Sequence, residues 1–119
     1  MTGSGTATDP YIITNWTDFR SMTGGTTYYK LSCDLDGKDY NNGVWKKASV
    51  QFAQLDGDGH TIKNIDSDTE DFVRASYTNQ IIKNTNFLNI NLPNNCFANA
   101  IIFQNCESVK VKAKFLAEA

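Results

Sequence analysis

The chain has 119 residues, of which 40% are hydrophobic and 12% are aromatic, and its formal net charge is −2. A chain of this length is the size of one domain and can bury about two thirds of its unfolded surface, and the composition excludes intrinsic disorder. The acidic balance excludes nucleic-acid binding by the chain as a whole, because phosphate contacts need an excess of Lys and Arg. No apolar run approaches the ~20 residues that span a bilayer.

The charges are unevenly distributed along the sequence. Residues 1–71 contain 6 basic and 11 acidic residues (net −5), whereas residues 72–119 contain 5 basic and 2 acidic residues (net +3). A dipolar chain of this kind is expected to dock head to tail with copies of itself or to sit on an acidic partner. The alternative is a chance asymmetry without function.

The N-terminal residues and the cysteines indicate the compartment. The opening MTGSGTATDPY has neither a basic segment nor an apolar segment, so no secretory signal is predicted. Cys33, Cys96 and Cys106 cannot all pair within one chain, and their spacing matches no zinc or redox motif. We therefore expect three reduced thiols in a protein that folds in a cytoplasm.

The predicted elements follow one another closely along the first half of the chain. Residues 1–10 read as an extended arm, residues 11–13 as a strand, and residues 16–22 as a short helix with Thr14 or Asn15 as its N-cap. Residues 28–33 predict a strand, residues 34–42 a polar loop, and residues 50–55 a return to apolar structure. The sequence Asp-Gly-Asp-Gly at 56–59 predicts a tight turn into the next strand.

The second half of the chain is periodic. The segments TIKNI (61–65), IIKNT (81–85) and IFQNC (102–106) align on Asn64, Asn84 and Asn105, which are 20 and 21 residues apart. A repeat of this length, with apolar β-formers around each Asn, is typical of a solenoid whose passes stack about 4.8 Å apart. We therefore predict that these three asparagines form one hydrogen-bonded ladder, with a coincidence in an Asn-rich chain as the alternative.

The C-terminal segment alternates strictly between apolar and basic residues. Val109, Val111, Ala113 and Phe115 are predicted to point one way and the lysines the other way, as in a half-buried strand. Lys110, Lys112 and Lys114 would then either protect the open edge of the last coil from pairing or face an acidic partner.

Five stretches of the sequence resemble a known β-helix module. GTATDPYIITNWTDF, YYKLSCDLDG and FAQLDGDGHTIKNI resemble its arm, first strands and tight turn, and IIKNTNFLNINL and NCESVKVKAKF resemble its later coils. Modules of this kind precede GLUG-type repeats in bacterial surface proteins and occur in small virion proteins of tailed phages. The chain departs from the pattern at DFVRASYTNQ and CFANA, where Gly-Leu-x-Gly repeats would follow, so the resemblance implies a compact unit rather than a long stalk.

The sequence offers little support for catalysis or a metal. Neither residues 56–60 nor the acidic loop 66–71 supplies the ligand positions of an EF-hand, although the loop could bind calcium adventitiously. His60 is the only histidine, and it is expected to cap the turn rather than to act as a general base. We therefore predict no catalytic residues, no metal and no cofactor; a polysaccharide-cleaving enzyme using Asp58 and His60 is the remote alternative.

These observations together predict an all-β protein. The expected fold is a short right-handed parallel β-helix of about three coils, with an extended arm (1–10), one domain (11–119) and one short helix. The expected function is a non-enzymatic virion protein, most simply a capsid decoration protein assembled in the host cytoplasm on the major capsid protein, with a homotrimer as the guess for its oligomer. The alternative is a glycan- or receptor-binding adhesin or tail-fibre module, and the candidate contact residues are Tyr40, Trp45, Tyr77, Lys110, Lys112 and Lys114.

Overall fold

The protein is built from parallel β-sheets with one very short helix. The structure, a computed structural model, describes residues 1–46, 50–67, 70–74, 80–96, 98–99 and 101–114. The helix α1 spans Trp16–Arg20, and two short 3-10 turns, η1 and η2, span Gly37–Asp39 and Asn41–Gly43. The strands are β1 (Tyr11–Ile13), β2 (Tyr28–Leu31), β3 (Leu35–Asp36), β4 (Gln54–Asp56), β5 (Thr61–Asp66), β6 (Val73–Arg74), β7 (Gln80–Lys83), β8 (Asn86–Cys96), β9 (Ala98–Asn99), β10 (Ile101–Gln104) and β11 (Glu107–Lys114).

The described strands form three sheets, which the chain visits in a repeating order. The five-stranded sheet has the order β1-β2-β4-β7-β10, the four-stranded sheet has the order β11-β8-β5-β3, and the two-stranded sheet pairs β6 with β9. Every pair in these sheets is parallel. From β2 onward, each pass of the chain therefore adds one strand to the five-stranded sheet and then one to the four-stranded sheet, whereas β1 is followed by α1 and has no counterpart in the four-stranded sheet. The all-β prediction is confirmed.

The register places equivalent residues of successive passes above one another. In the five-stranded sheet Tyr29 pairs with Leu55, Leu55 with Ile82, and Ile82 with Phe103, so these side chains form one column that faces the core. The first three are 3%, 0% and 1% exposed, but Phe103 on the last strand is 36% exposed. The column is thus buried from β2 to β7 and partly exposed to solvent at β10.

Aromatic side chains close the core beside the helix. The N-cap Asn15 accepts a hydrogen bond from the Asp18 backbone N–H at 2.8 Å, which fixes the start of α1 as the sequence predicts. The helix then buries Trp16 and Phe19 against Trp45 and Phe72, with ring centroids 4.8–6.1 Å apart.

The N-terminal residues are folded back, which corrects the prediction of an extended arm. The Ser4 and Thr6 N–H groups donate to the Asp9 carbonyl, and the Thr2 carbonyl accepts from Ile12 on the edge strand β1 at 2.9 Å. The buried Gly5 accepts from Tyr28 N–H, also at 2.9 Å. Because these bonds hold the segment on β1 and β2, it forms a closing loop for this end of the sheet.

The local predictions were correct for the regular elements and less complete for the loops. The strand at 11–13, the strand predicted at 28–33, the short helix and the turn at 56–59 are confirmed, although the second strand ends at Leu31 and the helix ends at Arg20 instead of residue 22. The predicted loop 34–42 contains β3 and most of the two 3-10 turns. No described helix is long and apolar enough to cross a membrane.

Candidate functional site

Two asparagine ladders follow two bends of the chain, one between the five-stranded and the four-stranded sheet and one within the strands of the four-stranded sheet. In the first ladder, Asn105 Nδ2 donates to Asn84 Oδ1 at 2.8 Å, and Asn84 Nδ2 donates to Asp56 Oδ1 at 3.1 Å. The backbone φ of Asn84 is 54° and that of Asn105 is 51°. Asn tolerates this left-handed conformation better than most residues, so one residue type both turns the chain and links the passes.

The second ladder lies one corner further along the chain. Asn89 Nδ2 donates to Asn64 Oδ1 at 2.9 Å, and Asn64 Nδ2 donates to Asp36 Oδ1 at 2.9 Å. Its asparagines are also left-handed, with φ of 60° and 53°. The Asn64 amide, followed by the Lys38 N–H, holds the pKa of the Asp36 carboxyl below its usual value. Both ladders therefore begin on an aspartate that can only accept.

The prediction of one ladder is wrong for Asn64. Asn84 and Asn105 do stack directly, but Asn64 stacks with Asn89, which lies within β8 and which the repeat of 20 and 21 residues does not include. Asn89 lies 25 residues after Asn64 and breaks the alternation of β8, because its left-handed backbone turns the strand between Leu88 and Ile90. The missed sequence signal was an asparagine, a residue that tolerates a positive φ, between two apolar residues.

Two glycines allow the chain to pass beneath the ladders. A Cβ on Gly37 would lie 2.0 Å from the Asn64 carbonyl oxygen, and a Cβ on Gly57 would lie 2.2 Å from Thr85 Oγ1. Glycine is therefore required by close approach at both aspartate-glycine steps, since both separations are far inside van der Waals contact.

Shallow polar grooves run beside the ladders. The larger groove has a volume of about 480 Å³ next to the Asn84–Asn105 ladder, and the smaller has about 280 Å³ next to the Asn64–Asn89 ladder. Of the residues that the structure describes, six line the larger groove, namely Asp58, Gly59, Asn84, Asn86, Asn105 and Glu107. The Oδ1 atom of Asn105 accepts no hydrogen bond from any described residue, so this groove ends on an available acceptor.

The last strand of the four-stranded sheet is basic, as predicted, but its facing is different. Lys110 lies next to Asn89 in the register of β8 and β11, at the end of the second ladder, and its φ is 56°. Both Lys110 and Lys112 are exposed. The left-handed Lys110 breaks the alternation, so Val109 is 54% exposed beside Leu88 instead of pointing inward. The side chain of Lys114 lies outside what the structure describes.

An outward column next to the second ladder runs from acid to base. Asn91 Nδ2 donates to Asp66 Oδ1 at 3.2 Å, and Lys112 pairs with Asn91 in the register of β8 and β11. The order Asp66, Asn91, Lys112 repeats the order Asp36, Asn64, Asn89, Lys110 at the corner. The surface of this sheet is therefore polarised from its β3 edge to its β11 edge.

The opposite end of the same sheet carries carboxylates. A groove of about 260 Å³ between the start of α1 and η1 is lined in part by Asp34, Asp36 and Asp39. Asp34 Oδ1 accepts from Thr61 N–H at 2.8 Å and lies 3.4 Å from His60 Nδ1. His60 is thus placed at the turn, where its backbone N–H donates to the Gly57 carbonyl. Among the described residues, no group of three or more His, Cys, Asp and Glu side chains is placed to hold a metal.

The predicted aromatic contact surface is wrong for Trp45. Trp45 is 2% exposed and packs between Trp16 and Phe72, because α1 covers it. Tyr40 is half-buried and lies 5.5 Å from the Trp45 ring, with the Arg20 guanidinium 4.5 Å from the Tyr40 ring centroid. Tyr77 lies outside the described residues.

Two of the three cysteines can be placed. Cys33 and Cys106 are free and half-buried, and burial raises the pKa of the Cys106 thiol. Its Sγ lies 3.4 Å from the Ile82 carbonyl, inside the stack. Cys106 therefore packs between successive passes and has little thiolate character.

The chain was also compared with known proteins. No protein-family model, no curated protein and no solved structure matches it.

Proposed function

We propose that this chain is a non-enzymatic structural protein of a virus particle, most simply a decoration protein on the outer surface of a capsid. In this proposal the passes are the coils of a short right-handed β-helix, and the module it resembles by sequence is the one found in virion proteins. The protein is assembled in the host cytoplasm and carried on the virion. The trimer and the alternative glycan-binding role are proposals that the experiments below test.

One observation carries the proposal. The core-facing column Tyr29, Leu55, Ile82 and Phe103 is closed until its last member, which is 36% exposed on the edge strand β10. The exposed end can bury apolar area against a neighbouring protein, as interface cores do.

The test is co-sedimentation with capsids that lack this chain. We expect the wild-type protein to bind and Phe103→Gln to bind at least about tenfold more weakly, since a buried Phe anchor contributes more than ~1.4 kcal/mol. Leu88→Gln is the matched control, because Leu88 is also 36% exposed but lies in the four-stranded sheet. Circular dichroism verifies that each variant is folded. Failure of the folded wild-type protein to bind would overturn the proposal.

A second candidate function, glycan binding, is favoured by the larger groove. Its amide and carboxylate side chains, among them Asn86, Asn105 and Glu107, are groups that pair with sugar hydroxyls. The buried Trp45 is excluded as the stacking platform, so recognition would be by hydrogen bonds.

The glycan proposal is tested on a broad glycan array. We expect Glu107→Ala to remove binding and Glu70→Ala, which lies outside the groove, to retain it. An array on which the folded wild-type chain binds no glycan would eliminate this candidate.

A further inference from the structure

The two edges of the four-stranded sheet carry opposite charges. β11 and β3 are the outer strands of that sheet, with β8 and β5 between them. The β11 segment has one Glu and three Lys, a net charge of +2, and its Lys110 and Lys112 are exposed. Beside β3, the carboxylates of Asp34, Asp36 and Asp39 adjoin Lys38 and, on the neighbouring strand β5, Lys63, which leaves a net charge of −1.

We propose that these two edges dock against each other between copies of this chain, so that the protein associates head to tail. The proposal rests on the assembly role proposed above, and it names the partner as a second copy. A second copy is favoured because one chain carries both complementary faces at opposite ends of one sheet, and each copy therefore offers one basic and one acidic face. Such a heterologous contact does not close on itself, so it extends into linear oligomers unless a rotation closes a ring.

The two faces contribute different groups to the contact. Among the described residues, β11 pairs only with β8, so its second edge can offer backbone groups together with its lysines. On the acidic side, the Asp36 carbonyl already accepts from Trp16 Nε1 of α1 at 2.7 Å, and the Leu35 side chain is buried in the core. The acidic face therefore receives lysine ammonium groups in its groove of about 260 Å³, and the contact is mainly ionic.

The column order supports this arrangement. Along the outward column, Asp66 is followed by Asn91 and then by Lys112. The corner column runs from edge to edge, from Asp36 on β3 through Asn64 and Asn89 to Lys110 on β11, so a second copy stacked beyond β11 brings its Asp36 carboxylate toward Lys110. The reverse arrangement would place two lysine edges or two carboxylate edges together, and like charges repel.

The experiment measures the mass of the full chain in solution by light scattering and sedimentation over a range of concentrations. Lys112→Glu reverses one charge on the basic face, and Asp39→Lys reverses one on the acidic face. Asp39 is chosen because Asp34 and Asp36 accept structural hydrogen bonds, whereas Asp39 is exposed. Lys46→Glu is the matched control, since Lys46 is exposed, lies outside the sheets and changes the net charge equally.

The expected result is a charge-swap pattern. The wild-type protein associates at about 0.1 M salt and dissociates at about 1 M salt, where the Debye length falls from about 10 Å to about 3 Å. Each single reversal weakens association about tenfold, Lys46→Glu has no effect, and the double variant K112E/D39K associates again. A wild-type chain that stays monomeric at low salt, a control as weak as Lys112→Glu, or a double variant without recovery would each overturn the proposal.

The same measurements separate this inference from the proposed function. A monomeric wild-type chain that binds capsids refutes head-to-tail association and leaves decoration standing. A chain that associates in the charge-swap pattern but does not bind capsids refutes decoration and supports head-to-tail association. Precipitation by an acidic protein, with no self-association at low salt, identifies an acidic partner and refutes the second copy.

Discussion

Asn84 is the central rung of the first ladder, and replacing it is expected to cost more than any single surface change. Asn84→Ala removes a bond donated to the Asp56 carboxylate (about 2 kcal/mol) and a bond accepted from Asn105 (about 1 kcal/mol). It also places alanine at a φ of 54°, which costs about 1 kcal/mol. The expected loss in the free energy of unfolding is therefore about 4 kcal/mol, or about 15 °C in Tm.

Two further variants separate the backbone term from the hydrogen bonds. Asn84→Gly loses the same two bonds but has no penalty for the left-handed backbone, so it should be about 1 kcal/mol more stable than Asn84→Ala. Asn91→Ala is the control, because Asn91 is extended, exposed and donates one bond to Asp66; it should cost less than about 1 kcal/mol.

The assay is urea and thermal unfolding followed by circular dichroism at neutral pH. Equal stabilities of Asn84→Ala and Asn91→Ala would refute the stabilising role of the ladder. Equal stabilities of Asn84→Ala and Asn84→Gly would refute the role assigned to the left-handed backbone.

The remaining predictions concern the ends and the supports of the ladders. Lys110→Asn should raise the free energy of unfolding by about 1 kcal/mol, since Asn tolerates the φ of 56° and its amide can donate to Asn89 Oδ1; a urea midpoint no higher than that of Lys110→Gln would contradict this. The pKa of Asp36 is lowered from 3.8, so the stability from its contacts is fully present above pH 3.8 and is lost as the pH falls through the lowered value. Thermal unfolding between pH 2 and pH 6 should therefore show a flatter pH dependence for Asp36→Asn, and an unchanged slope would disagree. Gly57→Ala should lower the urea midpoint strongly, because its Cβ would be 2.2 Å from Thr85 Oγ1, whereas Gly59→Ala meets no atom within 4 Å and should cost only about 1 kcal/mol for its positive φ; equal losses would exclude close approach as the cause.

The all-β class could be predicted from the sequence because most strands contain apolar residues of their own. The turn at 56–59 was predictable as well, since its glycines allow few alternatives. The position of Asn64 was not, because the bend between the sheets and the bend within the four-stranded sheet both require a left-handed residue, and asparagine meets the requirement at either one. A spacing of 20 residues therefore aligned rungs that belong to different corners.

The contact residues were harder to predict because their exposure depends on distant packing. Trp45 is buried only because α1, which ends 25 residues earlier, covers it. Val109 points outward only because Lys110 is left-handed, a conformation that no alternating pattern of lysine and valine suggests. The basic character of β11 depends on sequence alone and was therefore correct.

The uniform direction of the amide bonds has a consequence for how such a chain could change in length. Each asparagine donates its amide N–H to the residue of the preceding pass and presents its amide oxygen to the following pass. Every added pass therefore needs only a side-chain donor at that position. Duplication of an Asn-bearing segment within the gene would thus lengthen the stack without altering the rungs already in place. The aspartates fix where a row begins, while the lysine at position 110, which offers no acceptor, marks where one row stops.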